Sequence, residues 1–284
     1  MKRQKSFGSE IPTLFIVATP IGNLQEMTPR AIEILKDVDV IACEDTRQTK
    51  KLLDNFEIKT KLISHHAHNE KESANGIIEL LKDNQNIALV SDAGYPLISD
   101  PGYLLVQKVI SEGFNVVPIS GSSALLNALV ASGIVSQPFL FHGFLPTTKK
   151  HLRKILREYK HFSHTMIFYV AVHRLRETLE IILENWGERQ VSLAREMTKL
   201  HEEFIRGQLS DLIEIADELK GEFVLVIEGN PHEKEPDIQE VDITRMVEEL
   251  IAKGFSASQA IREVAAMTSL SKNAIYDIYT RSLS

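Results

Sequence analysis

The chain has 284 residues, of which 43% are hydrophobic and 25% charged, with a formal net charge of −7 and a single cysteine, Cys43. That size supports a large core divided into two packed units, and one cysteine excludes an intramolecular disulfide or a multi-cysteine zinc site, which points to a reducing cytoplasm. No run reaches the roughly 18 apolar residues of a membrane span, and the acidic total excludes a globally basic nucleic-acid binder while leaving room for a local basic patch.

Residues 1–11 are polar and aperiodic and read as a flexible N-terminus. From Thr13 the pattern becomes strand, loop, helix: the apolar run Leu14–Ala18, the loop Thr19–Asn23, then a helix opened by Thr28 and Pro29 with Ala31, Ile32, Ile34 and Leu35 at helical spacing. The same grammar recurs at Val38–Ala42 before Glu44-Asp45-Thr46, at Ile87–Val90 before Ser91-Asp92-Ala93-Gly94, and at Val116-Val117 before the Pro118–Ala124 loop. Apolar runs without polar alternation predict strands buried on both faces, so residues 12–134 read as an α/β lobe with a parallel sheet.

A polar break from Gly133 to Pro138 opens a second α/β lobe over 135–229. Its predicted strands are Phe139–Gly143, Thr165–Val170, Gln190–Ala194, Glu203–Arg206 and Phe223–Ile227, and its predicted helices are Lys149–Tyr159, Leu175–Asn185 and Leu209–Leu219. Residues 230–240 have linker composition, and 241–284 form a helical tail of two or three helices. Within it, Ser256–Ala260 and Ser269–Tyr279 read either as a small helix-turn-helix appendage or as a surface for packing and partner contact.

Ligands of parallel α/β sheets sit beyond the carboxyl ends of the strands. Three loops there, Thr19–Asn23, Ser91–Gly102 and Ser120–Ser123, combine glycines with small hydroxyls, which suits a ligand held by backbone groups and equally suits ordinary turns and helix caps. Neither Gly-x-x-x-x-Gly-Lys-Ser/Thr nor Gly-x-Gly-x-x-Gly occurs, and the central loop carries Asp92 and Asp100 without a Lys or Arg, which disfavours a polyphosphate. A neutral or cationic nucleoside-like molecule fits better; S-adenosylmethionine is one, although charge alone does not single it out.

Five ordered segments, Ala18–Leu24, Glu44–Arg47, Ser91–Gly102, Phe141–Pro146 and Arg195–Glu203, resemble the bacterial 16S ribosomal RNA cytidine 2′-O-methyltransferases of the tetrapyrrole-methylase superfamily. The resemblance runs from about Pro12 to Gly229 and more weakly into the tail. It implies a two-lobed tetrapyrrole-methylase-like α/β fold with a small C-terminal helical appendage, usually a homodimer, with S-adenosylmethionine in the cleft between the lobes. Carried over by position, the cofactor contacts are Pro20, Ile21 and Gly22; Asp92, Gly94 and Ile98; Ser122, Ser123 and Ala124; and, from the second lobe, Tyr169, Ala194, Glu222 and Phe223. The chain departs from the family pattern at Val170-Ala171-Val172, where the family tends to have Glu-Ala-Pro, and at Ile119–Ser122, where a Pro-Gly-Pro-Ser turn is usual.

Methylating a 2′-hydroxyl requires alignment of that oxygen with the methyl carbon and a destination for its proton. Candidates are Glu44 and Asp45 with Arg47, and the charged run containing Arg195 and Lys199, whose other reading is a turn laced with surface ion pairs. Lys149, Lys150, Arg153, Lys154 and Arg157 make the most basic stretch; Lys150, Lys154 and Arg157 share a helical face that suits an RNA phosphate track extended by His173 and Arg174, or simply a solvated face. The partner expected is 16S ribosomal RNA or the small ribosomal subunit. No metal is expected: His65, His66 and His68 read as solvated loop histidines. Two other readings remain at this point, a tetrapyrrole or other small-molecule acceptor on the same fold, and a non-enzymatic RNA-binding module.

Overall fold

The computed structural model describes residues 3–6, 8, 10–230, 240–268 and 270–282. The first sheet holds β1 (Thr13–Val17), β2 (Val40–Cys43), β3 (Lys61–Ser64), β4 (Ile87–Val90) and β5 (Asn115–Ile119), all parallel in the order β3-β2-β4-β1-β5. Helices α1 (Pro29–Asp37), α2 (Thr46–Asn55), α3 (Glu70–Lys82) and α4 (Tyr103–Glu112) connect them. Every residue of β2 and β4 is buried because apolar side chains cover both faces: Leu35, Ile41 and Ile119 pack on one, Ile77, Leu89 and Leu105 on the other. The start of α1 is set locally, by Pro29 in its first turn and by Thr28, whose Oγ1 accepts from the Ala31 N–H at 3.1 Å.

The sequence predicted four strand units here, and the fifth strand, β3, is the one omitted. It lies at the sheet edge with half-exposed residues, so it lacks the buried run by which its neighbours are recognised. The opposite edge strand, β5, is covered in part by Gln4, whose carboxamide donates to Val116 O at 2.8 Å and accepts from Val116 N–H at 3.0 Å. The N-terminal segment is therefore tied at this point rather than loose.

The second sheet orders β6 (Phe139–Phe144), β7 (Thr165–Val170), β8 (Gln190–Arg195), β9 (Glu203–Gln208) and β10 (Phe223–Ile227) as β6-β7-β10-β8-β9. Only β6 and β7 are parallel; the remaining pairs are antiparallel. Helix α5 (Ala124–Ala131) precedes this sheet, and α6 (Lys149–Tyr159), α7 (Leu175–Trp186) and α8 (Leu209–Ile215) accompany it; α8 ends at Ile215 and a 3-10 turn, Ala216–Glu218, completes the predicted helix. Helix α5 corrects the expected boundary at 134–135. Its Ala128 and Leu129 bury against Ile167, Ala194, Val224 and Val226, so it packs on the second sheet.

Both sheets belong to one compact unit that ends at Gly229. The described residues from Asn230 onward, with His161–Ser163, form a second unit of three helices, α9 (Glu240–Ala252), α10 (Ala257–Thr268) and α11 (Lys272–Ser282). Its own core contains Ile243, Val247, Ile261, Val264 and Ile275. Most of the expected linker, 231–239, and Ser269 of the expected helix-turn-helix lie outside the described residues. Among the described residues no helix is long and apolar enough to cross a membrane.

Candidate active site

The three glycine-containing loops follow β1, β4 and β5, which are neighbours in the first sheet, so they leave it side by side. They are bound to one another mainly through backbone groups. Thr19 N–H donates to Gly94 O at 2.9 Å and Gly94 N–H to Thr19 O at 3.0 Å, Thr19 Oγ1 donates to Ser91 O at 3.1 Å, and Gly121 N–H donates to Tyr95 Oη at 3.1 Å. Between Gly94 and Gly102 the chain holds Leu97 at φ 71° and Ser99 at φ 69°, conformations that side-chain-bearing residues adopt at a cost and that concentrate at binding sites. Glu70 Oε1 accepts from the N–H groups of Gly102 and Leu104 at 3.0 and 3.3 Å, capping α4, whose own first residues supply no side-chain cap.

These loops form one side of a cleft of about 470 Å³. Ile21, Gly94, Tyr95 and Ile98 line it from the first sheet, Ser123 and Ala124 from the start of α5, and Tyr169, Met197, Glu222 and Phe223 from the second sheet. Tyr169 stands between Phe141 and Phe144, edge to face with ring centroids 5.0 and 5.3 Å away, which gives the cleft an aromatic wall. Two glycines let the sheets approach. A Cβ on Gly22 would lie 2.6 Å from Lys199 Cγ and 3.2 Å from Met197 O, and one on Gly143 would lie 2.9 Å from Ser99 Oγ.

Asp100 also lines the cleft. Its half-burial, with Glu44 and Asp92 repelling a further negative charge, pushes its carboxyl up to about 6. Tyr169 is raised in turn, by burial and by the Asp100 charge. No Lys or Arg is among the lining residues, and His173 is the one basic side chain. An anionic nucleotide would meet uncompensated repulsion here, whereas a cation relieves the crowding of Asp100, Asp92 and Glu44. This donor set fits a sulfonium ligand.

A family described as tetrapyrrole (corrin/porphyrin) methylases matches residues 13–213. The chain belongs to the tetrapyrrole methylase family. Relatives named ribosomal RNA small subunit methyltransferase I, from Bacillus subtilis (strain 168) and Halalkalibacterium halodurans, are each 48% identical over 98% of this methylase and 98% and 99% of their own lengths. One from Synechocystis sp. is 45% identical, covering 93% of this chain and 96% of that one. Among solved structures, a diphthine synthase superposes with a TM-score of 0.59 at 13% identity, covering 76% of this chain and 89% of its own. The uroporphyrin-III-C-methyltransferase from Thermus thermophilus gives 0.53 at 17%, covering 76% and 94%. The two-lobed fold expected from the five motifs is thus the fold of the methylase, and the resemblance identified its family.

The sequence-derived site residues divide into three groups. Ile21, Gly94, Ile98, Ser123, Ala124, Tyr169, Glu222 and Phe223 come together in the cleft. Pro20, Gly22 and Asp92 face a neighbouring cavity behind the first loop. Ala194 and Ser122 do neither: Ala194 is buried in the core under α5, and Ser122 Oγ donates to Glu26 Oε2 at 2.7 Å.

The proton-handling candidates lie outside the cleft lining. Asp45 caps α2, accepting from Arg47 N–H at 2.8 Å and pairing with the Arg47 guanidinium, and these bonds hold its carboxyl near 2, far too acidic for a base. Arg195 donates to Lys220 O at 2.5 Å and Glu203 at 2.8 Å, and Lys199 Nζ pairs with Glu196 and Glu222 at 3.1 and 2.8 Å; both hold the β8–β9 turn and neither lines the cleft. Glu44 does not line the cleft, and its charge contributes to the raised Asp100 carboxyl.

The predicted RNA track is partly neutralised. Lys149 pairs with Glu177, Arg153 with Glu184 and Lys154 with Glu158, Arg157 Nε bonds Arg153 O, and Arg174 donates to the carbonyls of Leu145, Pro146 and Thr147. His173 lies on the cleft rim instead. The loop histidines are not all solvated either: His65 is buried, with Nδ1 2.7 Å from Ser73 Oγ. Among the described residues no group of three or more His, Cys, Asp or Glu can hold a metal ion. Tyr95 falls within the Asp92–Ile98 span that the resemblance implies as a cofactor contact, whereas Asp100 was not among the sequence-derived site residues although it lies in a loop the sequence singled out.

Proposed function

We propose that this methylase transfers the methyl group of S-adenosylmethionine to the 2′-hydroxyl of a cytidine in 16S ribosomal RNA. The observation that carries the reading is near full-length identity of 48% to proteins named for methylation of small-subunit ribosomal RNA, joined to a cleft whose charge suits a sulfonium. When bound, that cofactor supplies an activated methyl group, so the chain's own work is positioning and proton removal. Ile21, Ile98 and Phe223 keep water from the cleft, and backbone groups of the strained 94–102 loop and of Glu222-Phe223 orient the donor. As the acceptor oxygen forms its bond to carbon, Asp100 Oδ takes its proton. At neutral pH a carboxylate set near 6 is both ionised and more basic than an ordinary aspartate.

The full reading includes a homodimer acting in a bacterial cytoplasm. The dimer is supported by exposed apolar side chains, Val130 at 77% and Val135 at 71%, and the compartment by bacterial relatives named for methylating ribosomal RNA. Incubation of the purified chain with labelled S-adenosylmethionine and small ribosomal subunits should leave label in an alkali-resistant linkage at one cytidine. Failure to label either the subunit or its free RNA rejects the proposal.

A further inference from the structure

A second cavity, of about 390 Å³, lies behind the first loop. Pro20, Leu24 and Leu52 give it apolar surface, and Gln48, Lys51, Asn55 and Asp92 give it polar groups. The four α2 residues stand at positions i, i+3, i+4 and i+7, so they share one helix face. This cavity and the cleft are back to back. Ile21 lines the cleft while Pro20 and Gly22 on either side of it line the second cavity, and Ala93 lines the cleft while Asp92 lines the second cavity.

The polar groups have a mixed character that suits the edge of a base. Lys51 Nζ donates to Gln48 Oε1 at 3.3 Å and Asn55 Nδ2 donates to Lys51 O at 2.7 Å, which leaves Gln48 Nε2 as a donor and Asn55 Oδ1 as an acceptor for a ligand. Asp92 makes no ion pair among the described residues, and its carboxylate accepts hydrogen bonds only. Such a carboxylate pairs with the exocyclic amino group of cytosine and repels the oxygen that uracil carries at the same position. Lys51 and the exposed Arg47, which precedes it by one turn of α2, put cations beside the cavity for a phosphate.

We infer that the cavity behind the first loop holds a cytidine of single-stranded RNA, its base edge against Gln48, Asn55 and Asp92 and its phosphate beside Lys51. This deepens the proposed function and rests on it for the choice of RNA as acceptor. The cavity shares the Pro20–Gly22 and Asp92-Ala93 segments with the cleft, so a nucleotide seated there borders the methyl donor, and α2 rather than α6 becomes the element that reads the acceptor.

The test uses the full chain and fluorescently labelled oligocytidine and oligouridine of about eight nucleotides, followed by anisotropy across a salt series. Oligocytidine should bind about tenfold more tightly than oligouridine, and Asp92→Asn should erase that preference. The double variant Gln48→Ala/Asn55→Ala should weaken oligocytidine binding about tenfold, with calorimetric binding of S-adenosylhomocysteine verifying that it folds. Lys51→Ala should reduce the slope of log K against log salt by about 0.7. Equal binding of the two oligomers by the parent chain, no binding of either, or unchanged oligocytidine binding in the double variant overturns the inference. Base-selective binding that depends on Gln48 and Asn55, together with no methyl transfer to ribosomal RNA, rejects the proposed reaction and leaves the subsite standing.

Discussion

The two sheets build their sides of the cleft by different means. The first contributes loops tied together by paired backbone bonds, as between Thr19 and Gly94, with non-glycine residues held at positive φ. The second contributes an aromatic strand and a hairpin turn held by side-chain charge, Lys199 between Glu196 and Glu222. Backbone ties in a buried ladder fix position with little help from side chains, whereas partly exposed ion pairs are screened and individually weak. Substitutions on the first side should therefore be mild unless they alter a charge or a close approach, and loss of an ion pair on the second should be mild as well.

Asp100→Asn tests that contrast most severely. Loss of the proton acceptor should lower kcat by about 10²–10⁴ with little change in affinity for S-adenosylhomocysteine. The parent enzyme should lose activity as pH falls through about 6, and the variant should lose that pH dependence. Stability should move the other way. The folded pKa lies above the ordinary value of 3.8, so the contribution of this group is fully present below that value and lost as pH rises through about 6. Asp100→Asn should thus unfold at higher denaturant concentration than the parent at pH 8, by on the order of 1 kcal/mol once screening at a half-exposed site is discounted, and the difference should vanish near pH 4.

Gly22→Ala comes next, because it acts where the two sides meet. A methyl group 2.6 Å from Lys199 Cγ and 3.2 Å from a backbone oxygen forces the loop and the turn apart. Overpacking of this kind costs about 1–3 kcal/mol, and we expect about a tenfold loss of S-adenosylhomocysteine affinity by calorimetry. Lys199→Ala removes the partner instead of crowding it. With Glu222 81% exposed, the lost pairs should cost under about 1 kcal/mol and change cofactor affinity only about threefold. If Lys199→Ala proves more damaging than Gly22→Ala, the charged turn rather than the glycine approach sets the width of the cleft.

Much of this architecture was legible in the sequence because buried strands declare themselves. Val-Ile-Ala-Cys and Ile-Ala-Leu-Val are apolar throughout, as only strands covered on both faces are. The half-exposed Lys61–Ser64 edge carried no such signal, and the allegiance of α5 depended on which sheet its Leu129 would meet. Eight of the residues that the resemblance implies as cofactor contacts line one cleft, because the ordered motifs that carry the resemblance include the loops at the ends of β1 and β4. Of the catalytic candidates, Asp45 was conspicuous for a local reason: an Asp before a helix is most often its cap, as Asp45 is. Asp100 was visible as a residue but not as an acid, since its raised pKa arises first from burial and then from the charges of Glu44 and Asp92, both set by the fold.

Helix α6 gives the smallest effect and marks the limit of reading charge from sequence. Glu158 is the one acid within the helix, but Glu177 and Glu184, more than 25 residues away, pair with Lys149 and Arg153 from α7. Lys150 makes no ion pair among the described residues, so its removal isolates whatever long-range attraction the helix exerts. At physiological salt a single exposed, screened charge contributes little, and Lys150→Ala should raise the KM for ribosomal subunits by no more than about twofold. Lys51→Ala on α2 should raise it further at the same ionic strength. If the order is reversed, α6 carries the RNA after all, and the neutralising partners on α7 must give way when it binds.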